Sequence, residues 1–192
     1  MKTYFTSDSH FDHTNILSFE ERPFKTAEEM NQGLIESWNS VVNKTDTVIH
    51  FGDFSFGKYS DWIEVLNQLR GNIILIKGNH DKTKIINRVL KEGYLQEVHM
   101  VGHYMKVGKY TLNMTHYPLE IGNRPNSFSI HGHIHSHQSR MLNQVNLGVD
   151  SPLSLIKNRP FGQPVSLEEL MTYLDYINPM VEAEFLKERG IE

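Results

Sequence analysis

The sequence predicts a layered α/β sandwich built from two packed β-sheets. Two observations carry this reading. Through residues 2–91 predicted strands alternate with predicted helices, the pattern of parallel βαβ units, whereas residues 96–147 read as one strand after another.

In order along the chain, residues 2–7 (KTYFTS) form an apolar strand that ends in the polar run Asp8, Ser9, His10. Residues 26–42 form a helix, because Thr26 and Glu29 make a capping box and Met30, Leu34, Trp38 and Val41 or Val42 recur at helical spacing. Residues 47–50 are a short strand that stops at Phe51, Gly52 and Asp53. A helix over 60–69 follows from Trp62, Val65, Leu66 and Leu69, with Ser60 as its cap. The apolar run 73–77 is a buried strand ending at Gly78, Asn79, His80 and Asp81, and a helix over 83–91 is closed by Gly93. Strands are then expected at 96–101, 104–107, 110–114, 128–131 and 144–147, with Gly108 and Lys109 as a hairpin turn. A last helix spans 166–176 behind a Ser166/Glu169 capping box. No repeat or linker divides the chain, so one domain over residues 1–192 is expected.

Composition narrows the chemistry. With 192 residues, 39% hydrophobic and 22% charged, the chain has a globular profile. It has no cysteine, which excludes disulfides, thiolate metal sites and cysteine nucleophiles. A formal net charge of -4 gives no global attraction for nucleic acid or an anionic membrane, so no extended nucleic-acid surface is expected. No long apolar segment or secretory leader is evident, and a cytoplasmic protein without membrane contact is the expectation. Metal ligands, if any, come from Asp, Glu, Asn and the eleven His.

Five polar clusters share one placement, each where a predicted strand ends: Asp8 and His10; Gly52 and Asp53; Gly78 to Asp81; His116; and Gly132, His133 and His135. Loops beyond the carboxyl ends of strands converge at one edge of an α/β sheet, so sequence-distant clusters can meet there. Asp8 and His10 are two apart, as are His133 and His135, and in extended chain such residues point the same way. Each pair is therefore expected to offer two ligands to one spot. The glycines allow unusual backbone angles or close approach of the chain.

Asp8-x-His10, Gly52-Asp53, Gly78-Asn79-His80-Asp81, His116 and Gly132-His133-x-His135, in this order, resemble the signature of calcineurin-like metallophosphoesterases over residues 8–135. The resemblance implies a four-layer-type α/β sandwich in which two packed mixed β-sheets are flanked by helices. It implies one metal held by Asp8, His10, Asp53 and His135, and another by Asp53, Asn79, His116 and His133, with Asp53 bridging. Imidazole mixed with hard oxygen ligands suits two divalent transition-metal ions, Mn, Fe, Zn, Co or Ni. Two such ions less the charges of Asp8 and Asp53 leave about +2, enough to attract a phosphate ester to an acidic chain. The implied reaction is attack by a metal-bridging hydroxide on a phosphodiester or phosphomonoester.

The same resemblance gives His80 a place beside the phosphate, where it stabilises charge or protonates the leaving oxygen, with Asp81 orienting its ring. Asn79 is also expected to donate to a phosphate oxygen. His13, Asn15 and Arg22, in the loop after His10, are candidates for substrate contact, with loop packing and capping as the alternative. Arg124, between Gly122 and Pro125, is a candidate for a second phosphate or a base. His50 and His131 are expected in the core, His137 on the rim, and the aromatics of FGDFSF in core packing. With little room for a capping domain, a small nucleotide-like ester is the favoured substrate. The alternatives are a nuclease on DNA or RNA, a non-catalytic interaction scaffold and a histidine-rich metal buffer.

Overall fold

The computed structural model describes residues 1–191. The chain opens with β1 (Thr3–Thr6), passes through α1 (Ile16–Phe19) and α2 (Ala27–Val41), and alternates β2 (Thr47–His50), α3 (Tyr59–Leu66), β3 (Asn72–Ile76), α4 (Thr83–Lys91) and β4 (Glu97–His99). It continues as β5 (Gly102–Val107), β6 (Tyr110–Thr115), β7 (Ser127–His131), β8 (Gln144–Asn146), α5 (Ser154–Lys157), β9 (Val165–Ser166) and α6 (Leu167–Glu188).

The first sheet has the order β4-β3-β2-β1-β9, with β9 antiparallel to β1 and the other pairs parallel. The second has the order β5-β6-β7-β8, an antiparallel hairpin followed by two parallel pairs. Both sheets are therefore mixed, and they pack as the α/β sandwich the sequence predicted.

Side-chain alternation explains the layering. On the first sheet Tyr4, Val48, Ile73 and Leu75 face outward onto Met30, Leu34 and Trp38 of α2, Trp62 and Val65 of α3, and Ile86 and Val89 of α4. Their neighbours Phe5, Ile49 and Ile76 face inward onto Leu112, Met114, Phe128, Ile130 and Val145 of the second sheet. Strands buried on both faces read as continuous apolar runs, which is why Ile73 to Ile76 lacks a polar alternate. Leu170, Leu174, Ile177 and Val181 of α6 join the inner core. Truncating one of these buried leucines to alanine costs about 2–5 kcal/mol.

Several boundaries differ from the sequence expectation. The last helix does not end near 176 but runs through Pro179 to Glu188. Pro179 is exposed, and so is Asp175, whose carbonyl loses its helical partner at this surface position. The first turn of α3 is held by Asp61, which accepts from the Lys58 amide at 3.0 Å, rather than by Ser60. The short elements α1, α5 and β9, two to four residues each, carry no periodicity to detect. Among the described residues no helix is long and apolar enough to cross a membrane.

The topology sets where chemistry can sit. The parallel strands β1, β2 and β3 of one sheet and β6, β7 and β8 of the other deliver their carboxyl ends to one rim. There the sheets are joined by a parallel bridge between Ser7 and Gly148, and the Val149 amide donates to the Ser7 carbonyl at 3.1 Å. All five polar clusters begin at this rim.

Candidate metal centre

The ligand candidates leave their strands through left-handed turns. Among the described residues eight non-glycine residues have positive φ, and five of them are Asp8 (57°), His10 (49°), Asp53 (52°), His133 (69°) and His135 (47°). This corrects the expectation that i, i+2 pairs reach one spot from extended chain. Asp8 and His10 do fall in one group, but His133 and His135 point into different ones. The glycines serve close approach: a Cβ on Gly78 would lie 2.2 Å from Asp53 Oδ1, and one on Gly132 would lie 2.0 Å from Ser7 Oγ and 2.3 Å from Asp8 Oδ2.

Two clusters of donor atoms result from these candidates, and a third group, Glu20, His135 and Asp150, shares His135 with one of them. Asp8, His10 and His135 each offer a ligand atom within 4.8 Å of the others, and so do Asp53, His116 and His133. The two clusters meet at one oxygen, Asp53 Oδ2, which lies 3.6 Å from His10 Nε2 and 3.4 Å from His116 Nε2. The other Asp53 oxygen accepts the His80 amide at 2.8 Å, which fixes the carboxylate plane. Asn79 Oδ1 lies 2.8 Å from His116 Nε2 and so joins the second cluster.

Tautomers and unpaired atoms test whether a metal fits. His116 Nδ1 faces the Phe51 carbonyl at 2.8 Å and must carry the proton that this acceptor takes. Nε2 of a neutral His116 is then a lone pair aimed at two further acceptors, Asn79 Oδ1 and Asp53 Oδ2, an arrangement that requires positive charge between them. His135 Nδ1 likewise donates to Asp150 Oδ2 at 2.9 Å, leaving Nε2 for the centre. Asp8 Oδ1 and both ring nitrogens of His10 are buried without a hydrogen-bond partner. Ligand atoms about 2.1 Å from one ion, at angles of 90–110°, lie roughly 3.0–3.4 Å apart, close to the spacings found here. The donor set fits divalent transition-metal ions.

The electrostatics agree. Burial pushes the Asp8 carboxyl up to about 6, only partly offset by His116 and His135, and pushes His10 down to about 2 despite Asp53. Burial also opposes charge on Asp53, but the hydrogen bond and charge of His116 and the His80 amide hold its carboxyl well below the usual range. A cation among these atoms would remove the cost of an ionised, desolvated Asp8.

The remaining candidates divide. His80 and Asn79 are exposed at the mouth, with the His80 ring 5.7 Å from His10. Asp81 does not orient that ring. It is buried, and its oxygens accept the amides of Asp53, Phe54 and Gly78, each at 2.9 Å. Arg22 is no substrate contact either: it is buried, pairs through two nitrogens with Asp150 at 2.9 and 2.7 Å, and donates to the carbonyls of Asp8 and Ser9.

Arg124 lies three residues before Ser127, which pairs with Thr111 at the start of β6, so it sits at the sheet edge opposite the centre. Asn15 is exposed at the start of α1, and its side chain makes no capping bond. His13 does reach the rim, stacked on Phe56 at 3.8 Å and 5.5 Å from His10. Phe51 and Phe54 are core residues, as expected of FGDFSF, but Phe56 is half-buried between His13 and His80 at the rim. His50 and His131 are buried and His137 is exposed, also as expected.

Asp150 is the residue that sequence reasoning missed. Its signal was available, since Gly148 and Asp150 follow β8 as the other clusters follow their strands.

Comparison with known proteins follows the same line. The sequence profile of the calcineurin-like phosphoesterases matches residues 1–182. An uncharacterized protein of Methanocaldococcus jannaschii is 39% identical over 138 residues, 70% of each chain. The Gene 66 protein of Mycobacterium phage L5 is 26% identical over 208 residues, 92% of this chain and 95% of its own. The crystal structure of a protein of unknown function from Aquifex aeolicus shares the fold, with a TM-score of 0.68 at 24% identity, covering 90% of this chain and 98% of that one.

Proposed function

The chain belongs to the calcineurin-like phosphoesterases, a metal-dependent family, and we propose that it hydrolyses a small, nucleotide-like phosphodiester at a dinuclear centre. Asp8, His10, Asp53 and His135 would hold one ion, and Asp53, Asn79, His116 and His133 the other. The observation that carries this reading is Asp53 Oδ2, one oxygen within 3.6 Å of an imidazole nitrogen from each group. Two ions held there would supply Lewis acidity and water activation at neutral pH.

The chain's own groups account for the rest. Asn79 and His80, exposed where the clusters open to solvent, meet the ester phosphate as it enters. The Asn79 amide donates to a phosphoryl oxygen, and the His80 imidazole gives its proton to the departing alkoxide oxygen. Asp81 acts on neither ring nor substrate. It clamps the loops that carry Asp53 and Asn79, so that their side chains arrive already oriented. The whole chain works as one domain, and a diester is favoured over a monoester because Asn79 and His80 stand exposed at the mouth, which leaves room for a second ester substituent.

The test uses purified protein loaded with Mn, Co, Ni or Zn, its metal content measured and its hydrolysis followed on p-nitrophenyl phosphate, the bis ester and cyclic nucleotides. Two ions per chain and preferential cleavage of diesters are expected, and Asp53→Asn should lose metal and fall to background activity. An active, fully loaded Asp53→Asn protein would sink the dinuclear reading; cleavage of the monoester alone would sink the diester preference.

A further inference from the structure

The two flanks of the centre are built differently. On the His10 side the rim is filled: the Phe56 ring stacks on His13 at 3.8 Å and leans on His80 at 4.6 Å and His10 at 5.4 Å. On the His133 side a cavity of about 440 Å³ opens, lined by Tyr117, His133, Ile134, His137 and Arg140. Tyr117 forms its inner wall. That ring lies 4.4 Å from the His133 ring and 5.1 Å from the His116 ring, yet is 51% exposed.

What distinguishes Tyr117 from other exposed aromatics is its place: its ring lies directly against two ligand candidates and presents a face to the space that an entering ester's substituent must cross. The cavity falls within the ~300–1,000 Å³ range of small-molecule sites. Arg140, 87% exposed and only loosely paired with Glu120 at 3.7 Å, is available at the mouth for a polar or anionic group.

We infer that this cavity takes the organic part of the ester and that Tyr117 is its stacking surface, which selects a planar heterocycle of nucleobase size. The inference rests on the phosphoesterase reading above and adds to it a direction and a specificity residue. An ester phosphate entering at Asn79 and His80 has one flank closed by Phe56 and the other open along Tyr117, so its substituent extends over that ring. Stacking of a base on an aromatic side chain is sequence-tolerant, so the site should accept purines and pyrimidines with modest discrimination.

The test measures binding rather than turnover. Calorimetric Kd values for inorganic phosphate, ribose 5-phosphate and AMP are compared on the metal-loaded full chain and on Tyr117→Leu and Tyr117→Phe. Leucine keeps an apolar wall against His133 without an aromatic face. AMP should bind at least about ten-fold more tightly than ribose 5-phosphate to the original chain and to Tyr117→Phe. In Tyr117→Leu that ratio should fall to near one while the Kd of phosphate stays unchanged. Equal affinities for the two ligands in the original chain, or a ratio that survives in Tyr117→Leu, would overturn the inference. A protein that binds AMP selectively but cleaves no ester under any metal would instead count against the phosphoesterase reading alone.

Discussion

Asp150→Asn tests the support beneath the proposed Asp8–His10–His135 site without replacing any of the proposed ligands. Asp150 Oδ2 accepts from His135 Nδ1 at 2.9 Å and from Arg22 at 2.7 Å, while Oδ1 accepts from Arg22 Nε at 2.9 Å. Its side chain is 3% exposed and that of Arg22 is 0% exposed. The guanidinium also donates to the Asp8 carbonyl at 2.7 Å and the Ser9 carbonyl at 2.8 Å. One buried cation thus ties the Asp8 loop to the carboxylate that orients His135. The amide keeps the volume but removes the charge, leaving a desolvated guanidinium, and breaking a buried pair this way costs about 3–5 kcal/mol. For a chain of this size that is a drop of roughly 6–20 °C in the Tm of the metal-free protein. Loss of a carboxylate behind a ligating histidine weakens metal binding about 10–100-fold, or roughly 1.4–2.7 kcal/mol. This loss should fall on the Asp8–His10–His135 group and spare the Asp53–His116–His133 group, where Asp150 has no contact. Calorimetric titration with Co or Zn, resolving two sites, reads the difference. Two unchanged sites in a variant of unchanged Tm would refute the network, and a lowered Tm with two unchanged sites would reduce Asp150 to a folding residue.

Two further outcomes follow from the same geometry. Gly132→Ala places a methyl 2.0 Å from Ser7 Oγ and 2.3 Å from Asp8 Oδ2, so it should lose about 1–3 kcal/mol by denaturant unfolding and bind less metal; an alanine variant with full stability and metal content would contradict the packing at the rim. His50 accepts the Gly52 amide at Nδ1 at 3.1 Å and so donates to Ser9 Oγ through Nε2, and burial pushes its pKa down to about 3. The unfolded chain takes up that proton near pH 6.5, so the stability tied to neutral His50 is complete above pH 6.5 and falls as pH drops toward 3, by about 2–3 kcal/mol at pH 4.5. Nitrogen-15 shifts should show a neutral His50 ring protonated at Nε2 at pH 5, and an imidazolium there would disprove the assignment.

Much of this molecule is written in its sequence, for a reason particular elements make plain. Strands buried on both faces, such as Ile73 to Ile76, have to be apolar throughout, so the polar residues that stop them mark the rim without ambiguity. Asp8, Asp53 and Asn79 were legible as rim residues because each follows an apolar strand, whereas His116, His133 and His135 follow the mixed strands β6 and β7 and were legible through their order in the resemblance. The Arg22–Asp150 pair was not, since its members lie 128 positions apart: Asp150 follows a strand as the other clusters do, but nothing local to Arg22 indicates that the two are paired and buried. Tyr117 directly follows His116 in the chain, but its place beside His133 exists only in the folded second sheet.

The left-handed turns are the deepest case. Asp or His at positive φ looks like any other Asp or His in a sequence, yet each such residue costs roughly 1–2 kcal/mol. Five of them amount to about 5–10 kcal/mol, comparable with the whole net stability of a domain. Strain on that scale persists only where neighbouring structure over-determines the backbone. The means are visible: Asp81 collects three amides of the adjoining loops, Arg22 takes two carbonyls of the first, and the Ser7–Gly148 bridge pins the two sheets together one residue before Asp8. The buried Asp81 and Arg22, which looked like substrate chemistry in the sequence, are therefore better understood as the groups that hold the strained rim loops and their candidate ligands in place.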